Sequence, residues 1–197
     1  MRGSYSLAQT MANGFSFGTK YAAIEVSNSE VRRIMAQADT HSLPAGTHGH
    51  ALNWSAAIWA SVIAGLVFAA LEVVLAPIAR GASPWMPLHF IGAIGLGQSA
   101  LTPLDTFDLK VVSVAVAIHM ALAVLYGVIL ALIIERMDTA WAIVVGGIYG
   151  LALYYINFYG FSSVFPWWAD ARGAVSIFTH ILQSGLMAWI YKVMDKR

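Results

Sequence analysis

Hydrophobic positions in this chain fall into long, nearly unbroken runs, not the alternation of a half-buried strand or the narrow stripe of a soluble helix. A helix needs roughly 20 apolar residues to cross roughly 30 Å of hydrocarbon. Four segments meet that need, at about 54–77, 111–134, 140–163 and 174–192. The first is expected to stop at Pro77, because proline removes a backbone donor and crowds the preceding turn. Only Glu135-Arg136-Met137-Asp138-Thr139 separates the second run from the third, a connection short enough to make antiparallel neighbours of them. The pattern therefore predicts an all-α membrane protein with four transmembrane helices in an antiparallel bundle.

A shorter apolar segment, 85–101, is interrupted by Pro87, Gly92, Gly95, Gly97 and Gln98. It reads either as a fifth span or as an interfacial or re-entrant helix, and charge decides between them. With four spans, Arg2, Lys20, Arg32, Arg33, Arg136, Lys192, Lys196 and Arg197 share one side, against Arg80, Lys110 and Arg172 on the other. A fifth span reduces the split to six against five, almost no bias. Positive charge collects on the cytoplasmic side. The expectation is thus four spans with both termini cytoplasmic and 85–101 at the outer face. Trp54, Trp85, Trp141, Trp167, Trp168 and Trp189 fall near span ends, where amphipathic rings favour the headgroup level.

Residues 1–50 are polar and broken by Gly, Ser and Asn, with no apolar core ahead of a small-residue cleavage site. They read as a cytoplasmic tail ahead of a transmembrane domain at 51–197. Within the tail, Ser27 and Glu30 have capping-box spacing, and Val31, Ile34, Met35 and Ala38 continue a helical stripe. A short amphipathic helix at about 28–38 is expected, resting on the membrane or docking a partner subunit. His41, His48 and His50 lie in a Gly/Pro-containing linker and read as linker residues.

Composition agrees with the bilayer reading. Of 197 residues 59% are hydrophobic and 11% charged, where soluble domains carry about 25% charged residues. A net charge of +1 offers no basic field for nucleic acid, and zero cysteines exclude disulfides and thiolate metal sites on this chain. No phosphate-cradling glycine loop, nucleophile elbow, zinc-protease helix or dinucleotide fingerprint is present. The chain reads as non-catalytic.

Each run nevertheless carries small and polar residues at helical spacing. The sets are Ser61, Gly65, Ala69 and Glu72; Ala115, His119, Ala123, Tyr126 and Gly127; Gly146, Gly150, Tyr154 and Asn157; and Ser176, His180, Gln183, Ser184 and Met187. Small residues let membrane helices approach, and polar ones bond between them, so these faces should point inward. At about 1.5 Å per residue, Glu72 lies roughly 7 Å inside the outer end of its helix, Asn157 and His180 roughly 9 Å, and His119 roughly 12 Å. All four fall within about one helical turn of depth.

Intramembrane ionisable groups are costly and mark binding, relay or helix-locking sites. Four readings compete. One is a buried polar network that fixes helix register, formed by Glu72, Tyr126, Tyr154, Asn157, His180 and Gln183. Another is a cofactor site, with His119 and His180 as haem b ligands, or His119, His180 and Glu72 around a transition metal. The third is a proton-coupled carrier or small-solute path, the fourth contact with lipid or quinone. His89, in the 85–101 segment, is expected to face solvent or headgroups.

Gly81-Ala82-Ser83-Pro84-Trp85-Met86-Pro87, with Thr106-Phe107-Asp108 and Leu125-Tyr126-Gly127, resembles small multi-span bacterial inner-membrane proteins of unassigned function. The likeness covers about residues 52–192. It implies a bacterial inner-membrane location and brings no catalytic residues. The leading functional expectation is an accessory or scaffold subunit of a larger membrane assembly, of respiratory or oxidase type, in contact with the lipid bilayer and with partner subunits or further copies of itself.

Overall fold

The computed structural model describes residues 29–33 and 51–196. By its contacts the chain divides into residues 1–47 and residues 48–197. In the first unit, 29–33 are helical and exposed; the rest of the expected 28–38 helix lies outside the described residues, as do His41, His48 and His50.

The described part of the second unit is built of helices joined by turns and short loops, without a strand. Its helices are α1 (Trp54–Arg80), α2 (Met86–Leu96), α3 (Leu109–Ile134), α4 (Thr139–Tyr155) and α5 (Ala174–Met194). A π turn at Ile156–Gly160 and a 3₁₀ turn at Phe161–Ser163 carry the α4 segment onward, and 3₁₀ turns at Gln98–Leu101 and Pro166–Ala171 shape the connections. Four segments are long and apolar enough to cross a membrane: Trp54–Arg80, Leu109–Ile134, Thr139–Ser163 and Ala174–Met194. The 11 residues of α2 extend only about 17 Å and are too short to span.

Local chemistry sets most of the ends. Asn53, Asp108 and Asp138 cap α1, α3 and α4 by accepting from Ala56 N (3.2 Å), from Lys110 N and Val111 N (2.8 and 3.1 Å) and from Trp141 N (3.1 Å). The expected stop at Pro77 is corrected: α1 runs one turn further, to Arg80. The missing proline N–H removes only one bond of the helical ladder. Gly81, at φ 62°, closes the turn by donating to Pro77 O at 2.9 Å, a left-handed conformation that glycine adopts freely.

The helices pack as a chain of neighbours. α4 meets α5 most extensively, α5 meets α1, α1 meets α3 and α3 meets α2, whereas α3 and α4 touch sparingly. Near the α3–α4 hairpin the interior is dense and small: Ala56, Ala57, Ala60 and Ala64 of α1 pack with Leu130, Ala131 and Ile134 of α3, Ala142 of α4, and Met187, Ala188 and Tyr191 of α5. Alanine at these positions brings backbones close, which raises the van der Waals contact that holds helices together in lipid. Outward, Ile78, Leu109, Val164 and Ile148 are among the many large apolar side chains left exposed, surface suited to lipid contact.

Candidate functional site

All four small-and-polar stripes turn inward, with Ser61, Gly65, Glu72, Ala115, Ala123, Gly127, Gly146, Gly150, Tyr154, Ser176, His180, Ser184 and Met187 buried. Gly146 and Gly150 show why glycine stands in α4. A Cβ at Gly146 would meet Ser184 O at 2.7 Å, and one at Gly150 would overlap His180 O. Both lie against α5 backbone, which cannot yield as a side-chain tip can.

Beyond the alanine-packed end the helices part around a cavity of about 260 Å³. Its wall is mostly apolar and aromatic, with Phe68, Phe90, Leu122, Leu153, Phe158 and Trp168 among the lining residues. Polar side chains of all four long helical segments also line it: Glu72 and Arg80, His119 and Tyr126, Tyr149 and Asn157, and His180, Gln183 and Ser184. α3 and the α4 segment, which touch sparingly, both contribute to its wall.

Hydrogen bonds join several of these groups, leaving His119, Gln183 and Ser184 outside the set. The Thr179 hydroxyl donates to Glu72 Oε1 at 2.6 Å, fixing a carboxyl group on a residue only 9% exposed. Arg80 Nη2 donates to Ser176 Oγ at 2.9 Å, and Ser176 Oγ donates onward to Ala171 O at 2.7 Å. His180 Nδ1 lies 2.7 Å from Ser176 O, a carbonyl that can only accept, so Nδ1 carries a proton. Its Nε2 faces the Asn157 amide at 3.5 Å, and the Tyr126 hydroxyl reaches Asn157 Oδ1 at 3.4 Å. The Tyr149 hydroxyl donates to Tyr126 O at 3.0 Å.

His119 is held separately. Its Nε2 donates to Gly65 O at 2.8 Å, by the same reasoning about a carbonyl acceptor. The two imidazoles share a neighbour in Phe68, whose ring stacks on His119 (centroids 5.3 Å, 18°) and stands edge-on to His180 (4.9 Å, 89°). Tyr154 and Phe158 complete an aromatic collar about His180. Among the described residues no group of three or more His, Asp or Glu is placed to hold a metal ion.

The expected members other than Tyr154 line one cavity but divide into smaller groups. Asn157, His180 and Tyr126 are linked, Glu72 bonds Thr179 and no imidazole, and Tyr154 meets His180 through its ring while its hydroxyl accepts from Gly173 N at 3.4 Å. Gln183 lines the cavity without a hydrogen bond to the described residues. Phe68, Thr179 and Arg80 are members that the stripes left out. Phe68 sits one helical turn before Glu72, and Thr179 adjoins His180, so spacing alone held a signal for both.

Asn157 owes its position to the π turn. A single π turn inside an α-helix recurs at functional sites because the wider loop re-aims a side chain. Arg172 braces this one: Nε donates to Phe158 O and Nη2 to Ser162 Oγ, both at 2.9 Å, while its guanidinium lies 4.1 Å over the Tyr159 ring. His89, expected at the surface, is instead 2% exposed, with its ring nitrogens against Ala100 O and Thr106 O. It pins the connection between α2 and α3.

Comparison with protein-family models, curated proteins and solved structures returns no match to this chain.

Proposed function

We propose that the protein is a non-catalytic accessory subunit of a larger assembly in the bacterial inner membrane, and that it holds a small amphipathic ligand in the chamber of its bundle. The chamber itself carries this reading: a concave, mainly apolar space with a few convergent polar groups is the usual form of a ligand site. In this reading the four long helical segments form an antiparallel bundle with both termini cytoplasmic, and α2 with 98–101 lies at the outer face.

The hydrogen bonding favours holding over chemistry. His119 Nε2 and His180 Nδ1 each serve a backbone carbonyl, and Glu72 serves Thr179, so these groups fix helix positions. Passage across the bilayer is disfavoured because a dense alanine-rich core fills the interior near the α3–α4 hairpin.

Extraction from the native membrane in mild detergent, followed by native size separation and lipid analysis of the band, tests the proposal. Co-migration with other membrane proteins and one co-purifying amphipath per chain are expected. A protein that migrates alone, with no bound amphipath, contradicts it.

A further inference from the structure

Ala64, Leu130 and Met187 of the tightly packed core also line the chamber. On the α5 side, Gln183 and Ser184 follow His180 within about one turn and line the space. Neither makes a hydrogen bond to the described residues, although Ser184 is only 5% exposed. The Tyr126 hydroxyl on α3 reaches only Asn157, at a long 3.4 Å. Gln183 and Ser184 therefore keep donor and acceptor capacity that a guest in the chamber can take up.

The charges on the wall restrict that guest. Arg80 and Glu72 line the same chamber, so an anionic head drawn to one meets the carboxyl of the other, and a cationic head meets the reverse. An uncharged head avoids both. Phe68 and Phe158 offer flat faces and edges at the level of His180, the surface against which a ring packs in offset or edge-on fashion.

We infer that the chamber takes one uncharged, ring-headed amphipath of the quinone class. Its ring lies beside Phe68 and Phe158, its oxygens turn toward Gln183, Ser184 and Tyr126, and its tail leaves for the lipid between the sparsely packed α3 and α4. This assignment rests on the ligand-holding part of the proposed function and adds the class of ligand to it.

Photolabelling of the full chain in mild detergent with a short-tailed photoreactive benzoquinone tests the assignment, the label being mapped by mass spectrometry. Labelling should saturate, fall on α3 and α5 around Tyr126 and Gln183, and be displaced by unlabelled quinone but not by a decyl alcohol or phosphatidylglycerol. Gln183→Leu should raise the half-saturating concentration about three- to tenfold, the loss of one neutral hydrogen bond. Ser184→Ala provides the same test if Gln183→Leu fails to give the native elution volume. Displacement by phosphatidylglycerol equal to that by quinone, or unchanged affinity in folded variants of both residues, overturns the quinone assignment and leaves a ligand-holding chamber. Unsaturable label scattered over the lipid-facing surface overturns both.

Discussion

A single hydroxyl carries much of the polar level. Thr179 is fully buried and serves Glu72, whose carboxyl group would otherwise face an apolar wall. Thr179→Val keeps the volume and removes the donor, leaving a buried acceptor unsatisfied; stability should fall by about 1–3 kcal/mol. Thermal unfolding in detergent measures it, and a double-mutant cycle with Glu72→Gln should show non-additivity, as expected of side chains in contact. The same contrast operates at two glycines. Gly150→Ala drives a methyl into His180 O and should cost about 1–3 kcal/mol, whereas Gly147→Ala meets only Ile181 Cγ2, at 3.6 Å, and should be nearly neutral. Equal effects at the two positions would contradict the close α4–α5 crossing. At this scale the sequence was informative about which residues turn inward and poor about their partners. A buried Glu does not announce whether its mate is an imidazole or a hydroxyl, because that depends on helix rotations of a few tens of degrees.

Among the elements, the four long segments were legible because length and continuous hydropathy are coarse quantities that tolerate errors of a turn. The end of α1 was not, because the outcome at Pro77 depended on a glycine four residues later. The π turn was hidden as well, since neither Asn157 nor the glycine of Ile156-Asn157-Phe158-Tyr159-Gly160 distinguishes a π turn from a continuing α-helix. Its brace, Arg172, comes from a connection distant in the pattern. Arg172→Met should loosen this turn locally: amide hydrogen exchange at 156–163 should accelerate, while exchange in the alanine-packed half stays unchanged. Uniform acceleration across the chain would mean that Arg172 supports the fold generally. His89 shows the converse error. A histidine in a Pro- and Gly-rich segment looks like surface, yet two backbone carbonyls brought together by the fold give it an interior place.

For the molecule as a whole, topology is open to direct test because the chain contains no cysteine. Single cysteines at Ser99 and Asp170 should react with an impermeant maleimide from the outside in intact cells. Cysteines at Met137 and Lys196 should react only after permeabilisation, if four crossings place both termini and the α3–α4 hairpin in the cytoplasm. The central claim is that the polar level of this bundle is a hydrogen-bonded ligand chamber and that His119 and His180 hold helices in place. The most direct test is the visible spectrum and metal content of the protein purified from its native membrane, together with its His119→Ala and His180→Ala variants. The account predicts no Soret band, metal well below one equivalent, and variants that lose stability with spectrum and metal content unchanged. A Soret band, or one equivalent of metal abolished by either substitution in a protein that still folds, would contradict it and make the two imidazoles ligands.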